Sequence, residues 1–273
     1  MIKTILILAD QTTAFEIALT SGIELAKRFG AHLDVLHVRA APVGVVPLAA
    51  EGLPPSVIEE VHTMAEKTSQ EHEHKARATY ERLCRSSDVS ASWRIAIGRK
   101  TDIAAAAARL NDLVLIGRST IDDRSWRNES ESILFDGGRP ILLLPRDSRP
   151  FLGKRAAVAW NGSAQAARAV TAALPFLQLA RGADVLSAGA IDIYASTAGL
   201  IAYLSRHEVD ATAREFNTSD AAVGKMLLEQ CRLWDDQLLV MGAYGRSRLR
   251  EIILGGVTKE VLADSDLPVL ICR

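Results

Sequence analysis

The chain has 273 residues, 48 % of them hydrophobic, 24 % charged and 5 % aromatic, with a formal net charge of −1. Such a length fits one large domain or two of ordinary size, and the balanced charge argues against a protein whose main work is to grip nucleic acid, which needs a concentrated basic face. Cys84, Cys231 and Cys272 lie far apart without a CxxC pair, which argues against a disulfide framework and a zinc-thiolate site and suits a reducing cytoplasm.

TILILAD, at residues 4–10, is a dense β-branched and leucine run that reads as a strand buried on both faces. Asp10 interrupts it long before a signal-peptide core or membrane span could be completed, so a soluble, cytoplasmic protein is expected. Thr12 or Thr13 can cap the next segment, where Phe15, Ala18, Leu19, Ile23, Leu25 and Ala26 recur at helical spacing until Gly30 ends it. Residues 33–40 form the next strand, 41–55 a loop containing Pro and Gly, and 56–84 a long, charged, weakly amphipathic helix. SWRIAIG at 92–98 alternates as a strand does, and the alanines at 104–108 form a helix. DLVLIGRS at 112–119 and RPILLLPR at 139–146 are two further buried strands.

From Pro150 the same order begins again. AAVAWNG (156–162) is followed by a helix over 164–180, ADVLSAGA (183–190) by a helix over 197–206, and VDATAREFN (209–217) by a helix from Asp220 to about Trp234. QLLVMGAY (237–244) and LPVLICR (267–273) complete the series. TILILAD thus pairs with AAVAWNG, LDVLHVRA with ADVLSAGA, DLVLIGRS with QLLVMGAY, and RPILLLPR with LPVLICR, which marks an internal duplication. Parallel strands joined by helical crossovers imply two tandem open, doubly wound α/β domains, placed at 1–148 and 149–273 with the break near 147–154.

The stretch from Val240 to Arg273 reads as strand, glycine-bearing loop, helix start and second strand. This order sets free backbone N–H groups at a helix N-terminus beyond a strand's carboxyl end, where an open α/β sheet binds phosphate. The N–H groups of Gly256, Val257 and Thr258 are the expected donors. Other chemistry finds little support. His72 and His74, two apart on a helix, point to different faces, and Ser119 and Ser163 lack a GxSxG elbow. GRKT at 98–101 echoes the end of a P-loop, but Trp93 holds the place of its first glycine. Arg246, Arg248, Arg250 and Lys259 can neutralise phosphates or form a solvated face with Glu251 and Glu260. Cys272 is expected to pack as a small hydrophobe.

Through these residues the chain resembles a tandem universal stress protein. Nucleotide-binding members of that family carry Gly, two residues, Gly, nine residues, then Gly followed by Ser or Thr, and Gly242, Gly245 and Gly255 stand at that spacing. The resemblance implies a Rossmann-like, adenine nucleotide alpha hydrolase-like fold and ATP or a related adenine nucleotide as regulatory ligand, with any Mg²⁺ arriving on the nucleotide. It also implies that Ala159 and Ala188 frame the adenine, that Met241 and Gly242 lie under the ribose, and that the last strands of the two halves pair edge to edge as an intrachain pseudo-dimer. Two departures matter. Gly256 replaces the Ser or Thr, removing a hydroxyl donor to phosphate worth roughly 1.5–3 kcal/mol. Asn161 replaces the usual Asp, keeping a carbonyl acceptor and losing the charge.

In the first half Asp10 and Gly117 match the motif, but RSTIDDRSWRNESESILF then runs without glycine to Gly137, so that half is not expected to bind nucleotide in the family's manner. No residue is placed to activate a water, so no enzyme is assigned beyond at most a slow ATPase. The alternatives are a nucleotide-free module that recognises a protein partner and, behind it, an adenylating ligase.

Overall fold

The computed structural model describes residues 1–40, 54–118, 125–146, 154–188, 193–216, 223–243 and 256–273. They fall into two compact units, one reaching from Ile2 to Gly137 and the other comprising Gly138–Arg273.

In the first unit β1 (Thr4–Ala9), β2 (His32–Arg39), β3 (Ala91–Ile97) and β4 (Leu113–Gly117) are parallel and lie in the order β3-β2-β1-β4. The apolar runs of β1 and β4 account for their burial, Ile5, Leu6, Ile7 and Val114 being wholly buried. The crossovers are α1 (Thr13–Phe29), α2 (Pro55–Cys84) and α3 (Lys100–Ala108), and α4 (Ser125–Ser132) follows β4 and runs into one π-helical turn, Ile133–Gly137. Gly30 ends α1 in the left-handed region at φ 61°, as its position after the periodic stretch foretells. The start of α1 differs from expectation. The Thr12 hydroxyl does not cap the helix; it donates to Asp10 Oδ1, which also accepts from the Thr12 N–H at 2.9 Å.

The second unit orders its strands β5-β10-β9-β6-β7-β8. These are β5 (Ile141–Leu144), β6 (Arg155–Ala159), β7 (Ala183–Ala188), β8 (Ala211–Phe216), β9 (Asp236–Gly242) and β10 (Val269–Cys272). The β6 to β10 ladders are parallel, whereas β5 pairs antiparallel with β10, Leu143 opposite Val269, as the resemblance implies for the two last strands. Helices α5 (Ala164–Leu177), α6 (Thr197–Arg206), α7 (Val223–Leu233) and α8 (Gly256–Asp264) alternate with the strands. Ser163 and Ser196 cap α5 and α6 by accepting from the N–H groups of Ala166 and Gly199. At Gly224 a β-carbon would stand 2.6 Å from Glu260 Cβ, so the absence of a side chain lets α7 and α8 approach.

The repeat read from the sequence extends to register. Leu6 faces Asp34 across β1 and β2 as Ala157 faces Asp184 across β6 and β7. Leu36 faces Arg94 as Leu186 faces Arg214, and an Asp–Arg ion pair spans the two outer strands in both units.

Candidate functional site

An open α/β sheet offers its ligand crevice where neighbouring crossovers leave in opposite directions, at the carboxyl ends of the strands. In the second unit that point lies between β6 and β9, where Ala159 pairs with Met241 and Gly242 follows. Ala188 ends the adjacent β7, and Asn161 follows β6 on the surface. Asn161 Oδ1 accepts from the Ser163 N–H at 3.1 Å, closing a turn like that of Asp10 and Thr12 in the first unit. One lone pair of this oxygen therefore serves the backbone, and the other remains for a ligand.

Gly242 has a local explanation that the spacing does not reveal. A β-carbon there would stand 2.5 Å from the Ala166 backbone nitrogen and 2.6 Å from the Gln165 carbonyl carbon, so the first turn of α5 already excludes a side chain. Gly117, its first-unit counterpart, is closed in the same way by Ala14, whose carbonyl oxygen would lie 2.1 Å from a β-carbon. The first motif glycine is thus required by helix–strand packing.

Helix α8 opens at Gly256, which is exposed, and a β-carbon on it would meet no described residue within 4 Å. The first N–H groups of an α-helix have no acceptor inside it, so those of Gly256, Val257 and Thr258 are available to an anion. The Thr258 side chain is buried, leaving its N–H as the group it offers. Gly245, Gly255, Arg246, Arg248 and Arg250 lie outside the described residues. The strand ends thus gather Ala159, Asn161, Ala188, Met241 and Gly242, and α8 presents Gly256, Val257 and Thr258.

The corresponding place in the first unit is filled. Trp126 and Glu129 of α4 are buried beside Asp10, Thr12 and Gly117, and the cavity among them holds about 20 Å³, room for about one water. Glu129 pairs with Lys100 at 2.7 Å, and Lys100 lies 3.7 Å from Asp10. A buried carboxylate and an indole ring occupy the region beyond Gly117 where phosphates would need room and positive potential. Sequence reasoning assigns no element to this segment, although the Trp followed by Glu three residues on is its only visible sign. Nearby, the ends of β1 and β2 and the α2 residues Val61, Met64 and Ala65 enclose an open cavity of about 620 Å³.

His72 borders that cavity, while His37 is buried with Nδ1 bonded to the Ala9 carbonyl at 2.9 Å. Among the described residues no group of three or more His, Cys, Asp or Glu could hold a metal ion. Burial raises the thiol of Cys84 to about 11 and that of Cys272 to about 12, and raises Cys231 as well, which fits apolar packing. No described helix is long and apolar enough to cross a membrane.

Comparison with known proteins follows the same lines. Residues 202–273 match the universal stress protein family. A universal stress protein from Archaeoglobus fulgidus DSM 4304 superposes with a TM-score of 0.71 at 17 % identity, covering 99 % of this chain and 96 % of its own. A functionally unknown protein from Pseudomonas aeruginosa PAO1 superposes with a TM-score of 0.61 at 15 % identity, covering 99 % and 92 %. No curated protein matches the chain. Residues 202–273 therefore carry the universal stress protein signature, and the whole chain has the fold found in that family.

Proposed function

We propose that the protein acts in a stress response and that its second unit binds ATP or a related adenine nucleotide as a regulatory ligand. The observation that carries this reading is the glycine spacing Gly242, Gly245, Gly255 inside the stretch that matches the family, ending at the exposed start of α8. The adenine would lie near Ala159 and Ala188, the ribose over Met241 and Gly242, and the phosphates against the N–H groups of Gly256, Val257 and Thr258. A nucleotide that held Mg²⁺ through its own phosphates would need no protein carboxylate there. The space at Gly256 suits such a role, since no described residue packs against that position.

The first unit, with Trp126 and Glu129 where phosphates would lie, takes no part in this binding. No turnover is assigned, because phosphoryl transfer depends on a group that positions the attacking water. Mass spectrometry of freshly purified, denatured protein and melting with millimolar ATP test the proposal. A co-purified adenine nucleotide, or a melting temperature that climbs with ATP concentration, supports it, since a ligand of the folded state stabilises by mass action. If neither is seen, the protein is better read as a nucleotide-free interaction module.

A further inference from the structure

The amino-terminal ends of the strands in the second unit hold a buried charge cluster that nucleotide binding does not use. Asp184 on β7 is fully buried and accepts from Arg155 Nε at 3.0 Å and from Arg214 Nε at 2.9 Å. Arg214 lies over the Trp234 ring, 3.5 Å from its centroid. Asp236 opens β9 opposite Arg155 and is 4 % exposed, but among the described residues no donor reaches either of its carboxyl oxygens. A buried carboxylate with no donor is costly, so its protonation state needs an explanation.

The first unit supplies the comparison. Counting back from the glycine that ends each strand, Asn111 stands to Gly117 as Asp236 stands to Gly242. Asn111 is buried, and its Nδ2 donates to Asp34 Oδ2 at 3.3 Å. Asp34 is held by Arg94 as Asp184 is held by Arg214. An ionised Asp in the place of Asn111 offers only lone pairs where the amide offered a proton. Only the neutral acid can make the bond that Asn111 makes.

We propose that Asp236 keeps a proton and donates it to Asp184, so that the second unit is held by a carboxylic acid–carboxylate pair that comes apart as pH rises. The pair is independent of the nucleotide reading, although β6, β7 and β9 carry the candidate site at their far ends.

The charged and titratable groups facing Asp236 are Asp184 on β7, Arg155 on β6, Arg214 on β8 and Cys231 on α7. Asp210 acts on Arg155, and Asp266 and Arg232 act on Cys231. Both arginines aim their bonds at Asp184, so they weaken the hold of Asp236 on its proton without giving it a donor. Burial first, and the charge of Asp184 second, push Asp236 up to about 8. An unfolded Asp titrates at about 3.9. The folded chain therefore keeps a proton that the unfolded chain releases. Stability from this source is complete below about pH 4, falls as pH climbs towards about 8, and is level above that.

The test is melting of the full chain across about pH 5 to 9, wild type beside Asp236→Asn, with amide exchange on β9 as a local readout. Asparagine keeps the shape and supplies the donor that Asn111 supplies in the first unit. The expected result is a wild-type melting temperature and β9 protection that fall relative to the variant over this range, with the variant clearly ahead at the alkaline end. Parallel curves overturn the proposal. Should Asp236→Asn fail to fold, infrared spectroscopy of the wild type decides: a protonated-carboxyl band that fades on passing to alkaline pH and is missing from Asp184→Asn supports the pair. Absence of that band near pH 6 overturns it.

Discussion

A β-carbon on Gly242 would stand 2.5 Å from the backbone nitrogen of Ala166, a separation that non-bonded atoms do not tolerate. The close approach fixes how α5 leaves the strand edge, and with it the placement of Asn161 and Ser163. Gly242→Ala should therefore cost about 1–3 kcal/mol by overpacking whether or not nucleotide is present. Urea unfolding without ligand checks this; a variant as stable as the wild type would show that α5 shifts freely. Gly117→Ala should cost more, because the clash there is with the Ala14 carbonyl oxygen.

Gly256→Ser is expected to leave stability within a few tenths of a kcal/mol, since Gly and Ser are both tolerated at helix starts and the position is open. Its hydroxyl should tighten adenine-nucleotide binding by about 10- to 100-fold, the worth of one hydrogen bond to a charged group. Titration calorimetry reads this directly. An unchanged or weaker affinity would place the phosphates elsewhere.

Lys100→Met should destabilise the protein by about 2 kcal/mol. Removing one partner of a buried ion pair typically costs about 3–5 kcal/mol, and the figure is lowered because Lys100 is itself one-third exposed. Adding Glu129→Gln should recover most of the loss, as the buried negative charge that Lys100 balances is then gone. Denaturant midpoints of the two single variants and the double variant give the coupling, and additive losses would show that Lys100 and Glu129 do not act together.

All three cysteines should resist thiol reagents in the folded protein near pH 8. The thiolate is the reacting form, and raised thiol pKa values keep it scarce. Cys84, half-buried and raised to about 11, should react first as pH increases, and Cys231 and Cys272 only on unfolding. Mass spectrometry of timed labelling distinguishes them, and fast native labelling of Cys231 would contradict its burial.

The inner strands, such as β1, β4 and β9, were legible because their apolar runs had to be buried on both faces, and α1 was legible because Phe15, Leu19 and Ile23 keep helical spacing up to a glycine that can turn left-handed. Helix α4 was not. Its segment SWRNESES has no apolar period, and it is held by Trp126 and Glu129, whose partners Asp10, Lys100 and Gly117 are distant in sequence. At the candidate site, spacing found Gly242 but not the packing that requires it, because a strand glycine that admits a helix and one that admits a ligand look alike in a sequence. The contrast of Asn111 with Asp236 was present in the duplicated strands, but it acquired meaning only when register placed each beside an Asp on the next strand but one.

The antiparallel ladder of β5 on β10 bears on how the chain can be divided. β5 precedes the boundary at 148 that the repeat suggests, yet it belongs to the unit formed by Gly138–Arg273. A fragment beginning at 149 would expose the apolar edge of β10, inviting two copies to join through that strand or to aggregate. One beginning at Gly138 would keep its own edge strand, making it the better starting point for isolating the second half.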